Sequence, residues 1–172
     1  MIITLLGYMG SGKSTIGQQL ASVLGYDFVD LDAFIEVKEG RSISEIFKSK
    51  GEIYFRKAEH NYLKELLVQD KNIVLSLGGG TPCYANNMEL LNTVGVVSCY
   101  LKLTPSNLAI RLFNEKSQRP IISHIETEEV LREFIAIHLF ERQRYYQLAT
   151  YVLDINALPP KAVIELIVKR LY

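Results

Sequence analysis

Excess charge of either sign is missing from this chain of 172 residues: 19 Lys and Arg offset 19 Asp and Glu, so the formal net charge is zero. Nucleic acids and anionic membrane surfaces are held by basic faces, so neither is expected as a partner. Cysteine is scarce. Cys83 and Cys99 show no metal-ligand spacing and no framework of pairs, which points to a reducing compartment. No apolar run approaches the length of a membrane span. Ile2 opens a strand-like run at once, leaving no room for a secretory leader. A cytoplasmic enzyme is the expectation. Repeats, low-complexity tracts and an interdomain linker are missing too. The remaining composition is ordinary, with 48% hydrophobic and 22% charged residues, and it suits a single domain with a substantial core.

Strand-like and helix-like segments alternate from end to end. Apolar or alternating runs at Ile2–Leu6, Asp27–Asp30, Ile73–Leu77, Val96–Leu103 and Tyr151–Ile155 predict five strands. Ile16, Leu20, Val23 and Leu24 follow the first strand at helical spacing. Ser42 and Glu45 form a capping-box pattern, opening a helix expected to end near Gly51. Further helical patterns cover Glu52–Gln69, Pro105–Phe113, about Glu126–Ala149 and Pro159–Leu171. Strands separated by helices predict an α/β protein, with a parallel sheet covered on both faces. Ligands in such sheets sit at the carboxyl ends of the strands.

Three places at those ends carry chemistry. Gly7-Tyr8-Met9-Gly10-Ser11-Gly12-Lys13-Ser14-Thr15 fills every required position of G-x-x-x-x-G-K-[ST], between a strand and a helix. Its backbone N–H groups and the helix N-terminus would cradle phosphate, Lys13 would reach the β/γ-phosphates and Ser14 would hold Mg²⁺. A nucleoside triphosphate is therefore expected here. Asp30 and Asp32 end the second strand; one could face the water around Mg²⁺ and the other a substrate hydroxyl. Asp32 could equally be an N-cap for a helix beginning at Ala33. Gly78-Gly79-Gly80 ends the third strand and allows close approach of a ligand, or makes a plain tight turn.

Several arginines stay open at this level. Arg56 has Glu52 and Glu59 at helical spacing, the pattern of a surface ion-pair ladder. Arg142 and Arg144 allow the same reading. Arginine at two separated places could also clamp a carboxylate in bidentate fashion. The polar stretch Asn114–Pro120 is the least structured segment, and its Arg119 is a candidate phosphate-contacting finger if the segment closes over the site.

Together these residues resemble the shikimate kinase family. The resemblance rests on Gly7–Thr15, Asp30-Leu31-Asp32, Gly40-Arg41-Ser42-Ile43 with Glu45-Ile46-Phe47, Gly51-Glu52 followed by Phe55-Arg56, Leu75–Gly80 and Arg119-Pro120-Ile121-Ile122. It implies a nucleoside monophosphate kinase-type fold with strand order 2-3-1-4-5, in one kinase domain. That domain would hold a substrate-binding region at about 31–60 and a lid at about 112–124. The implied activity is phosphorylation of the 3-hydroxyl of shikimate by ATP and Mg²⁺, in the route to chorismate and aromatic amino acids. The implied partners are shikimate and ATP alone, and the implied state is a monomer.

The resemblance also assigns residues. Gly10, Ser11, Gly12, Lys13, Ser14, Thr15 and Arg119 would bind ATP, and Ser14 with Asp30 through water would hold the metal. Asp32, Arg56, Gly78, Gly79, Gly80 and Arg142 would bind shikimate, with Lys13, Asp32 and Arg119 as the catalytic set. Arg142 with Tyr146 fits the family's Arg-x-x-x-Tyr setting, and Arg144 is the alternative. The family's basic residue near adenine is replaced by the stretch Asn156-Ala157-Leu158-Pro159, so adenine must be held differently. A gluconate- or nucleotide-type kinase of the same fold should lack the Asp32, Arg56 and triple-glycine set. A silent nucleotide-binding relative should have lost Lys13, Asp32 or Arg119. A GTP switch would need an Asn-Lys-x-Asp motif, which is absent. Cys83 has no evident chemistry and reads as a small packing residue.

Overall fold

Strand β1 (Ile2–Leu6) is buried at every position. A strand with no wet face needs parallel neighbours and a helical cover. Its neighbours are β3 (Ile73–Ser76) on one side and β4 (Val96–Lys102) on the other, both parallel. Next to β3 lies β2 (Asp27–Asp30), and next to β4 lies β5 (Tyr151–Asp154). The order β2-β3-β1-β4-β5 is the one the resemblance implied. This computed structural model describes residues 1–115, 119 and 121–172. The lid motif therefore appears in part: Lys116, Ser117, Gln118 and Pro120 lie outside the described residues.

The helices are α1 (Lys13–Leu24), α2 (Leu31–Glu39), α3 (Ile43–Leu67), α4 (Asn87–Leu91), α5 (Pro105–Phe113), α6 (Glu128–Tyr146) and α7 (Pro160–Leu171). Their apolar faces meet the sheet in one core, in which Leu5, Leu75 and Leu101 join Leu20, Ile135 and Ile167. Among the described residues no helix is long and apolar enough to cross a membrane.

Local signals are mostly kept, with three differences. The capping box forms as expected: Ser42 Oγ accepts from Glu45 N at 3.3 Å, and Ser42 N donates to Glu45 Oε2 at 2.8 Å. The helix it opens does not end at Gly51. It kinks there, at φ 82° and ψ 172°, and continues to Leu67. Second, α2 starts at Leu31 and its cap is Asp30, whose Oδ1 accepts from the N–H groups of Asp32 and Ala33 at 3.1 and 3.3 Å. The capping role considered for Asp32 is thus filled two residues earlier, by Asp30, and Asp32 lies in the first turn. Third, α6 begins after the Thr127 cap and is shorter at both ends than its pattern.

Leu5 is fully buried on the central strand, so truncation leaves a cavity that the two flanking strands cannot close. Leu5→Ala should cost about 2–5 kcal/mol of stability. A shift in the urea midpoint with an unchanged slope is the expected readout.

Candidate active site

The glycine loop ends β1 and feeds α1. Lys13 Nζ folds back and donates to the carbonyls of Gly7 and Tyr8, both at 3.0 Å. In front of it opens a cavity of about 400 Å³, lined by Gly10, Gly12, Lys13, Ser14 and Thr15 on one side. Asp30, Asp32, Gly78, Gly79, Glu115 and Arg119 line the other. Ser11 is in the loop, but its side chain is buried and its hydroxyl has no partner among the described residues. What Ser11 can offer a phosphate is its backbone. Ser14 Oγ donates to Asp30 Oδ2 at 3.1 Å, so Asp30 serves the loop with one oxygen and caps α2 with the other. Arg119 reaches the cavity too, paired with Glu115 at 2.9 Å.

A second cavity of about 410 Å³ shares Met9, Asp32, Gly78, Gly79 and Arg119 with the first. Its far side is built by Arg56, Glu59 and Arg142, and its apolar wall by Ile43, Phe47, Phe55 and Ile121. Three guanidinium groups, of Arg56, Arg119 and Arg142, and two carboxylates, of Asp32 and Glu59, thus face one space. Both ion pairs that the spacing suggested for Arg56 form, with Glu52 at 3.5 Å and with Glu59 at 2.9 Å, but only the Glu52 end is exposed, so the set is not a surface ladder. Glu59 is only 1% exposed; its Oε2 accepts from Arg56 at 2.9 Å and its Oε1 from the Thr81 hydroxyl at 2.7 Å. Burial acts to lower the Arg56 pKa, but the charge and hydrogen bond of Glu59 outweigh it and the net shift is upward. An ion pair of this kind holds a cation in place for a ligand.

Close approach explains the outer two of the three glycines, while a Cβ on Gly79 would meet only ordinary contacts, the nearest Arg142 Nη1 at 3.5 Å. A Cβ on Gly78 would stand 3.0 Å from Asp32 Oδ1, and one on Gly80 would stand 2.8 Å from Arg56 Nη2. Tyr146 OH donates to Gly79 O at 2.5 Å and pins the turn to α6. Of the two late arginines, Arg142 lines this pocket. Arg144 is exposed, bonded to the Tyr145 hydroxyl at 2.9 Å, and faces a different cleft. Two positions apart on a helix, they are about 200° apart around the axis.

Charges in the cavity are strained by burial. The Asp32 carboxyl is pushed up to about 6, by burial first and then by Asp30 and Glu59. Burial brings the Lys13 ammonium down to about 8, against the pull of Asp32 and Asp30. Burial also raises Cys83 to about 11 and Cys99 to about 12, which fits inert packing thiols.

Sequence reasoning missed Glu59 and Thr81, which hold Arg56, and it left adenine without a place. A third cavity of about 390 Å³ lies against Gly10, Gly12 and Thr15, and is completed by Arg111, Asn114, Ile155, Leu158, Pro160 and Val163. Asn156 itself is taken up in structure: its Oδ1 accepts from Thr104 N and from Asn107 Nδ2, both at 2.8 Å. No short-range pattern joins α5 to the start of α7, so only an unexplained arginine near the end of α5 could have signalled this cavity.

Two contiguous cavities sharing an aspartate and an arginine, one shaped for phosphate and one for an anion beside an apolar wall, are what a small-molecule phosphotransferase of the P-loop class requires. The family model described as shikimate kinase matches residues 9–172, and the chain belongs to the shikimate kinase family. The shikimate kinase of Flavobacterium johnsoniae is 50% identical over 154 residues, covering 90% of this chain and 89% of that one. A crystal structure of shikimate kinase from Bacteroides thetaiotaomicron superposes with a TM-score of 0.87 at 37% identity, over 99% of this chain and 96% of the other. The shikimate kinase from Acinetobacter baumannii in complex with shikimate gives 0.83 at 33% identity, over 99% and 92%.

The raised Asp32 pKa has a consequence for stability. The folded state binds this proton more tightly than the unfolded chain, so the cost of ionisation is fully felt above pH about 6 and is gone once the pH is below the ordinary carboxylate value of 3.8. Asp32→Asn should therefore be more stable than wild type at pH 8, by on the order of 1–3 kcal/mol. The gain should shrink to nothing on acidification to that point. A variant with an equal or lower Tm at pH 8 would contradict the buried-charge account.

Proposed function

We propose that the protein transfers the γ-phosphoryl group of ATP to the 3-hydroxyl of shikimate, giving shikimate 3-phosphate and ADP. The product enters the route to chorismate and the aromatic amino acids. The observation that carries this reading is the wall common to the two cavities, where Asp32, Gly78, Gly79 and Arg119 stand between the lysine of the glycine loop and the arginine pocket. A hydroxyl donor lying in the second cavity meets the phosphoryl donor there and nowhere else. The family membership and the shikimate complex of the Acinetobacter baumannii relative point to the same acceptor.

In this reading Arg56 and Arg142 grip the substrate carboxylate, and Glu59 keeps Arg56 aimed. Backbone groups at Gly78, Gly79 and Gly80 approach the ring, and Phe47 and Phe55 pack on it. Asp32 orients the 3-hydroxyl and takes its proton as the new O–P bond forms and the bond to ADP breaks. The transition state is loose, so positioning and charge neutralisation carry most of the rate. Lys13, the loop N–H groups at Gly10–Thr15 and Arg119 supply that neutralisation. Adenine lies in the third cavity, with Arg111 on one side and Leu158 and Pro160 on the other.

The site also fits Mg²⁺. Ser14 and Asp30 pair two hard oxygen donors at the cavity rim. Among the described residues no group of three or more His, Cys, Asp or Glu side chains is arranged as a metal cage, which suits a cation that keeps several waters and takes phosphate oxygens. Ser14 directly, and Asp30 through water, would hold it, and it would offset charge on the β- and γ-phosphates.

The chain acts as one kinase domain, with residues 31–60 as its substrate region and 112–124 as its lid, of which 116–118 and 120 lie outside the described residues. In this reading the chain acts as a monomer. Two unpaired cysteines and balanced charge suit the cytoplasm.

The deciding measurement is ADP formation with and without shikimate. Strong stimulation is expected, and none would sink the acceptor assignment. Arg56→Ala and Arg142→Ala should each raise the shikimate KM by about 10–100-fold, the worth of one charge-assisted interaction. Arg144→Ala should leave it near wild type. For wild type, kcat/KM for shikimate should decline as the pH falls through about 6, the value to which burial raises Asp32.

A further inference from the structure

Tyr8 fills a position where the phosphate-loop pattern demands no particular residue. It is nonetheless among the largest fully buried side chains of the protein. Three contacts meet on it. Its carbonyl accepts Lys13 Nζ at 3.0 Å. The Arg142 guanidinium stands over its ring, with Cζ 5.5 Å from the centroid. Its hydroxyl meets Nδ1 of His138 at 2.9 Å. His138 lies one helical turn before Arg142 on α6, and its ring packs edge-on against Phe134 at 4.3 Å between centroids. One side chain therefore links the phosphate loop, the arginine of the second cavity and a histidine outside both.

A phenol this deep needs a hydrogen-bond partner, because stranding it costs the full desolvation of its hydroxyl. We take the Tyr8 hydroxyl as donor and Nδ1 as acceptor, the pairing of the imidazole tautomer with its proton on Nε2. Burial, and then Arg142, keep His138 below its ordinary pKa, so its Nδ1 is free to accept. Burial pushes the Tyr8 phenol up to about 12, so it remains the donor. A ring held from its far end presents a fixed face to the guanidinium above it. Without the histidine, the hydroxyl must find water or rotate, and the face tilts with it.

We propose that His138 is a positioning residue for substrate binding: by holding the Tyr8 hydroxyl it fixes the ring on which Arg142 rests, and so aims Arg142 at the substrate carboxylate. This rests on the reading of Arg142 as a carboxylate ligand. A cation–ring contact at this depth is worth about as much as a weak ion pair. Its loss should therefore show in affinity for the carboxylate substrate and not in affinity for ATP.

The test is steady-state kinetics on the full chain. His138→Leu should raise the shikimate KM about three- to tenfold, the range expected for such a contact, with kcat and the ATP KM close to wild type. His138→Asn, whose side-chain oxygen can replace Nδ1 as acceptor, should restore the wild-type KM. Tyr8→Phe keeps the ring and loses the hydroxyl, so it should show the same rise. The double variant should rise no further, since both changes break one bond. The proposal fails if His138→Leu leaves the shikimate KM unmoved, if the ATP KM rises in parallel, or if Asn does not rescue. Should His138→Leu not fold, Tyr8→Phe decides alone. Wild-type protein that shikimate does not stimulate would overturn the underlying reading instead, so the two failures are distinguishable.

Discussion

Pairing of β1 with β3 is the constraint on which the site depends. Their residues lie some seventy positions apart in the chain, yet Leu5 stands opposite Ser76 and Leu77 N donates to Leu5 O at 3.0 Å. That register sets the glycine loop beside the triple glycine. β2 pairs with β3 so that Asp30 is level with Ser76, and the aspartates arrive at the same edge. A parallel sheet ends all its strands on one side, where the following helices begin and their N–H groups point outward. The amides of the glycine loop, a lysine and two carboxylates are therefore neighbours because of strand register alone.

Helix α6 is the second scaffold. His138, Arg142 and Tyr146 recur every four residues, which places them along one stripe of the helix. Each reaches a different part of the sheet edge: His138 the Tyr8 hydroxyl, Arg142 the second cavity, and Tyr146 the carbonyl of Gly79. The helix thus ties both glycine segments to the wall that faces the acceptor. A change of helix phase by one residue would lose all three contacts together.

The cost of this arrangement is carried by charge. Glu59 is matched by Arg56 and Thr81, so its burial is compensated. Lys13 is held by two carbonyls, and Asp32 faces Gly78 and, among the described residues, has no hydrogen bond from a side chain. Groups left partly unsatisfied in a cavity are ready for ligands that bring phosphate charge and hydroxyl protons. Stability is given up at the place where binding will restore it.

The division between sequence and tertiary structure follows from range. Apolar runs determined the strands, because a doubly covered strand must be apolar on both faces. Gly7–Thr15 determined a glycine loop between strand and helix with Lys13 facing a cavity, because its pattern lies in nine consecutive residues. The capping box at Ser42 and Glu45 was legible for the same reason. Spacing could not tell that Glu59 is buried and Arg56 half-buried, since Glu52 and Glu59 look alike beside the arginine until Thr81 and the triple glycine close over one of them. Nor could it choose between Arg142 and Arg144, whose directions matter only once α6 has a phase against the sheet. The cap at Asp30 and the cavity beside Arg111 likewise come from partners distant in the chain. Periodicity tells which residues share a face; what that face meets is decided only when register and packing bring remote segments together.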